Sequence, residues 1–185
     1  FSGHKLYGPT GIGVLYGKRE LLERMPPFMG GGDMVDTVTF AKTTYAPVPL
    51  KFEAGTANFV GAIGQGEAVK FMQRFDPAEI EAHEEALLHR ATERLEEIGG
   101  LRIYGTAPGK CAIVSFNVEG VHPYDMGMIL DKLGIAVRTG QHCAEPVMDH
   151  YATTGMCRAS FALYNTQAEA DALADGVERA VRMLR

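Results

Sequence analysis

Apolar and polar positions change rhythm along the 185-residue chain. Residues 11–17 (GIGVLYG) form a short apolar run flanked by glycine and read as a buried strand. Residues 18–24 alternate charged and apolar positions as a short helix, stopped by Met25-Pro26-Pro27. Residues 28–55 show no helical period. Gly30-Gly31-Gly32, Pro47 and Pro49 there predict an irregular, extended excursion. Two helices are predicted next, over residues 60–75 and 77–98. In the second, Ile80, Leu87, Leu88, Ala91, Leu95 and Ile98 fall at helical spacing, with Pro77 at the start and Gly99-Gly100 at the end. Beyond residue 100, strands are predicted at 101–104, 111–117, 135–137 and 157–163. Helices are predicted at 124–133, 144–150 and 167–184. Thr166 and Glu169 are spaced as a capping box for the last helix. Strands and helices alternating on this scale predict an α+β layer with helices on one sheet face.

Composition narrows the class without naming a function. The chain is 46% hydrophobic and 22% charged, as ordinary globular proteins are, with enough length for one sizeable core. A net charge of −5 argues against nucleic acid or an anionic membrane as main partner. No apolar run approaches the roughly 20 residues of a membrane span, and no export segment is visible. Cys111, Cys143 and Cys157 have no metal-ligand spacing, so no metal is expected. Their odd number speaks against a disulfide framework and for a reducing cytoplasm.

Two stretches carry the chemistry. Phe1-Ser2-Gly3-His4-Lys5-Leu6-Tyr7-Gly8-Pro9-Thr10-Gly11 sets a lysine in a loop of small, polar and Gly/Pro residues before the first apolar run. An amine held this way can condense with a carbonyl cofactor, and Ser2 and Thr10 offer hydroxyls for a phosphate. A solvated terminal lysine is the plain alternative. Arg138-Thr139-Gly140-Gln141-His142-Cys143-Ala144 sets a thiol in a turn beside Arg138 and His142, both able to favour a thiolate. A buried structural thiol is the alternative there, and is the reading for Cys111 in its apolar strand and for Cys157. Arg158 interrupts another apolar strand, where a charge is rarely unpaired. It is either a structural ion pair or a fork for a carboxylate. Arg138 can orient the cysteine turn or contact the same carboxylate. Thr56, after Glu53-Ala54-Gly55, suits a phosphate or simply caps the following helix. His122 reads as a capping or surface residue, and His83, His89 and His150 as helix-face residues.

These segments, together with Gly30-Gly31-Gly32, Phe52-Glu53-Ala54-Gly55-Thr56, Met156-Cys157-Arg158-Ala159-Ser160 and Tyr164-Asn165-Thr166, stand in one order along nearly the whole chain. In that order they resemble the group II cysteine desulfurases and selenocysteine lyases of the class V aminotransferase-like, pyridoxal phosphate-dependent family. The resemblance implies that Lys5 binds pyridoxal 5'-phosphate as a Schiff base, with Ser2 and His4 on its phosphate. It implies that Cys143 takes sulfur from L-cysteine, leaving alanine and a Cys143 persulfide for iron–sulfur cluster assembly through an acceptor protein. Arg158, with Arg138, would hold the substrate carboxylate. Thr56 would reach the neighbouring subunit's site, which implies a homodimer.

The implied fold class is α/β: the C-terminal portion of a fold-type I pyridoxal phosphate transferase. Residues 1–55 would be a remnant of its large domain and residues 56–185 its small α+β domain. Because the resemblance puts the lysine midway through a longer chain, residues 1–185 are expected to be a C-terminal half that binds the cofactor weakly or not at all by itself and is inactive alone. Rival readings are selenocysteine lyase, another class V epimerase or hydrolase (which would need no nucleophilic thiol), and a non-catalytic domain serving dimer or acceptor contacts.

Overall fold

A computed structural model describes residues 1–185, which divide into two compact units, Phe1–Phe75 and Asp76–Arg185. In the first unit a 3₁₀ turn, Gly3–Lys5, lies in a loop closed on itself. The amide of Gly3 donates to the carbonyl of Ile12 (2.8 Å), that of Gly8 to Gly3 (3.0 Å), and that of Val14 to Phe1 (2.9 Å). Helix α1 (Arg19–Arg24) follows, then a hairpin of β1 (Val35–Val38) and β2 (Thr43–Tyr45), then helix α2 (Phe59–Met72). Asn58 caps α2 by accepting from Gly61 N, while its Nδ2 donates to the Gly11 carbonyl at 3.0 Å. Gln65 of α2 lies under the same loop, where a Cβ on Gly3 or Gly8 would run into its amide. A side chain at either position would force the Gln65 amide to move. These ties put α2 in the first unit, whereas the expected division at residue 56 grouped it with the second.

The second unit is an antiparallel sheet covered by helices. Helix α3 (Pro77–Glu96) precedes β3 (Leu101–Tyr104) and β4 (Ile113–Val118). Then come α4 (Pro123–Lys132), β5 (Arg138–Gly140), α5 (Glu145–His150), β6 (Met156–Ser160) and α6 (Gln167–Leu184). The sheet order is β3-β4-β6-β5, and all three pairings are antiparallel. On one face Val114, Phe116 and Val118 of β4 and Cys157 and Ala159 of β6 pack against α3, α4 and α6. That face is the main core, and it matches the expected helix layer. The other face carries Ser115, Asn117, Met156 and Arg158, partly covered around α5 by a small cluster of Tyr104, Met148 and Met156. Alternation along β6 thus separates Cys157, facing the core, from Arg158, facing the opposite side.

Several expected elements shift. Residues 11–17 form no strand beyond an isolated Ser2–Gly13 bridge. Leu15 and Tyr16 are exposed, because no other strand in the chain runs alongside to give the run a ladder. The excursion over 28–55 contains the β1–β2 hairpin, which the alternation did not reveal because three of the four β1 residues are solvent-facing. The strand expected at 135–137 lies instead at Arg138–Gly140, while Ile135 and Val137 pack against the core from outside the ladder. Cys111 is exposed and precedes β4, so it is not the buried strand thiol expected of it. The cap of α2 is Asn58, which removes the capping alternative for Thr56. The Thr166–Glu169 capping box and the His122 cap of α4 are both present. No helix is long and apolar enough to cross a membrane.

Candidate functional site

In the first unit Lys5 ends the 3₁₀ turn with its side chain exposed, and its Nζ makes no hydrogen bond or ion pair. Ser2 Oγ lies 3.4 Å from His4 Nδ1, so both flanking polar residues remain on one side of the turn. An amine left free of carboxylates, beside a hydroxyl, an imidazole and glycine-rich backbone, fits a carbonyl group that carries a phosphate. A second small-residue platform forms where Gly55 N donates to Gly32 O at 3.0 Å. Gly31 approaches the Ala54–Gly55 backbone so closely that a Cβ there would be crowded. Thr56 stands exposed at the edge of this platform.

In the second unit β5 and β6 bring three expected residues together. Arg138 pairs directly with Arg158 across the ladder. Like charges in that position repel, and neither guanidinium has a carboxylate partner among the ion pairs of the chain. Within these residues Arg158 forms no ion pair. Two guanidiniums opposite each other without an internal carboxylate could offer forked donors to an anion. From the end of β5, Gly140 turns the chain with φ of 110°, and His142 (φ 56°) and Cys143 (φ 61°) follow in the left-handed region. Two consecutive non-glycine residues there store backbone strain, about 1–2 kcal/mol each. Three contacts hold them. Ala144 N donates to Gln141 O at 3.0 Å, Gly155 lets its backbone pass against Gly140, and His142 Nε2 sits 2.9 Å from Met156 O. The strained turn leaves the Cys143 thiol exposed with Arg138 Nη2 donating to its Sγ at 3.4 Å.

The three thiols are distinguished by environment. Burial pushes the Cys157 thiol up to about 12, and its Sγ–H donates to the Pro123 carbonyl. This is an inert core thiol, as expected. His142 departs from expectation. Burial, opposed by the bond to Met156 O and reinforced by the charges of Arg158 and Arg138, holds its pKa below the ordinary imidazole value. Arg138, whose Nη2 donates to Cys143 Sγ, is the charged group in contact with the thiol. The anchoring of His142 to Met156 was not legible in the sequence, because it depends on the register of β5 with β6. Gln65 was also missed; it is a lone amide between Gly64 and Gly66, with nothing in the spacing to mark it.

The chain matches the Aminotransferase class-V family over residues 1–173. It belongs to that family. It is 52% identical over 180 residues to a probable cysteine desulfurase of Streptomyces coelicolor, covering 96% of this chain and 43% of the relative. The Escherichia coli cysteine desulfurase CsdA, solved in an S-sulfonic acid form, is 45% identical with a TM-score of 0.95. The match covers all of this chain and 46% of that one. A C-DES mutant with glycine linked covalently to its PLP cofactor, at 21% identity and TM-score 0.72, shares the fold. The chain thus spans less than half the length of the relatives it matches, and its α/β architecture is that of part of a fold-type I enzyme.

Proposed function

We propose that this chain carries the cofactor lysine and the sulfur-accepting cysteine of a pyridoxal phosphate-dependent cysteine desulfurase. The observation that carries the reading is the Arg138–Cys143 contact at 3.4 Å on the strand pair that sets Arg138 opposite Arg158. Lys5 would hold the cofactor carbonyl, and Ser2 and His4 its phosphate. When bound, pyridoxal phosphate supplies an electron sink for charge developing on the substrate's α-carbon. Arg158 binds the α-carboxylate of L-cysteine through parallel N–H donors, which orients the substrate's Cβ–S bond. Arg138 stabilises the negative charge of Cys143 by a charge-assisted hydrogen bond. Cys143 Sγ attacks the substrate sulfur, so an S–S bond forms as the C–S bond breaks. The carbon fragment leaves as alanine after protonation, and the terminal sulfur stays on Cys143 as a persulfide. Exposure of Cys143 suits transfer of that sulfur to an acceptor protein, as iron–sulfur cluster assembly requires. The family resemblance, in which the residue at Thr56 reaches the neighbouring subunit's site, supports a homodimer, and the odd cysteine count fits a reducing cytoplasm.

The test uses the full-length protein, with alanine formation as the readout. Cys143→Ala should lower it by orders of magnitude while the absorption band of bound cofactor persists, whereas Lys5→Ala should lose that band. Undiminished alanine output from Cys143→Ala would remove Cys143 as the nucleophile. L-selenocysteine assayed beside L-cysteine fixes the substrate: a far higher kcat/KM for the selenium compound would move the assignment to selenocysteine lyase.

A further inference from the structure

One side chain of β4 is tied to the segment that backs the cysteine turn. Asn117 is half-buried on the sheet face opposite the main core. Its Nδ2 donates twice, to Thr153 Oγ1 at 3.1 Å and to Gly155 O at 2.9 Å. The Thr153 hydroxyl gives its own hydrogen to the same carbonyl, also at 2.9 Å. A carbonyl can only accept, so the amide must present its nitrogen here. The other end of the amide, Oδ1, is buried without a partner. A side chain kept for packing alone would be apolar in such a place; the use of this one lies in its two donors. From the other side, Thr153 N donates to Met148 O of α5 at 3.0 Å, so residues 153–155 are held by both α5 and β4.

What these residues hold is the cysteine turn. Gly155 is buried, and a Cβ on it would lie 3.1 Å from Gly140 Cα and 3.2 Å from the Gly140 carbonyl carbon. Gly140 is where the turn leaves β5. Met156, next after Gly155, pairs with Gly140 in the ladder and carries the carbonyl 2.9 Å from His142 Nε2. Where residues 155 and 156 stand therefore sets both contacts of the turn with β6. Left-handed backbone at His142 and Cys143 persists only while its surroundings enforce it. We infer that Asn117 is a positioning residue: through Thr153 and Gly155 it fixes the backbone against which the Cys143 turn is folded. Cys143 Sγ is thereby kept within reach of Arg138. The consequence for turnover rests on the desulfurase reading, in which Cys143 must meet the substrate sulfur while Arg158 holds the carboxylate; the tie itself does not.

Three variants of the full-length, cofactor-loaded protein test it. Asn117→Leu removes both donors at similar volume, Thr153→Val removes the hydroxyl, and Thr153→Ser keeps it. Amide hydrogen exchange read by mass spectrometry is the first measurement. The peptide spanning residues 140–148, which includes the Ala144 N–H bonded to Gln141 O, should exchange about tenfold faster in Asn117→Leu and Thr153→Val. Peptides of α6 should not change, and Thr153→Ser should restore the protection. Kinetics are the second. Asn117→Leu should lower kcat for alanine formation by about 100-fold and Thr153→Val by about tenfold, with KM for L-cysteine little changed and Thr153→Ser near the unaltered enzyme. Unchanged exchange over residues 140–148 in both variants, or an effect confined to KM, overturns the inference. So does exchange that rises equally in α6, or a Thr153→Val protein that fails to fold, since either makes the tie a general support of the second unit. Absence of alanine formation by the unaltered enzyme would instead sink the functional reading and leave the exchange result standing.

Discussion

The two compact units bury their apolar residues to very different degrees. In Phe1–Phe75 only Met34 and Ala68 are buried hydrophobics, while Phe28, Phe40 and Tyr16 are almost fully exposed. In Asp76–Arg185 twenty hydrophobic residues are buried, and Phe116, Leu130 and Val177 are wholly enclosed. Hydrophobic content does not explain this, since both stretches carry apolar runs. The difference is that the second unit closes a sheet on three helices within its own sequence, whereas the first has a two-stranded hairpin and two helices, too little to cover those runs. An apolar pattern states a need for burial; it does not say whether the same 185 residues supply the covering surface. The candidate chemistry is divided in the same way, with the free lysine on the sparsely buried unit and the cysteine turn on the well-packed one.

That contrast can be broken by measurement. The largest expected effect is in native-state hydrogen exchange. Amides of β4, β6 and α6 should exchange orders of magnitude more slowly than those of residues 11–17 and the β1–β2 hairpin. Equal protection in both would end the distinction. Truncation comes next: Phe116→Ala should cost about 3–5 kcal/mol of the second unit's stability in denaturant titration. Phe28→Ala or Phe40→Ala, at exposed sites of the first, should change stability by less than about 0.5 kcal/mol. Gln65→Leu runs the other way. Both amide atoms of Gln65 are buried without partners, so replacing them should stabilise the first unit by about 1–3 kcal/mol, read from its unfolding midpoint. A loss of stability would mean that the amide has a partner in solution. The smallest effect is in pH. His142 binds a proton less readily when folded than when unfolded, so its contribution is complete above the ordinary imidazole value. That contribution is lost as pH falls toward the lower folded value. The second unit's midpoint should fall over that window, and His142→Gln should flatten the slope.

Much of this architecture was legible in residue order. The helices of the second unit carry their own signals: Pro77 and Pro123 at first turns, apolar spacing through Leu87, Ala91 and Leu95, and the Thr166–Glu169 box. Lys5, Cys143, Arg138 and Arg158 stood out because each is a reactive or charged group in a stretch otherwise small or apolar. What was not legible depends on pairing between distant segments. The run at residues 11–17 looks like a strand, but local pattern cannot provide a neighbour. Cys111 reads as part of β4 until the ladder begins two residues later at Ile113. His142 next to a cysteine suggests a cation. Only the β5–β6 register, by delivering the Met156 carbonyl, shows the ring acting as an anchor.

Thiol chemistry tests the central claim most directly. The full-length protein would be turned over with L-cysteine, quenched with an alkylating agent and digested, and each cysteine peptide examined by mass spectrometry. Cys157, buried with its thiol held near 12, should remain unmodified until the protein is denatured. Cys111 and Cys143 are both exposed and should both alkylate, but only the Cys143 peptide should carry one additional sulfur atom after turnover. An extra sulfur on Cys111, or alanine released with no extra sulfur on Cys143, would contradict the account.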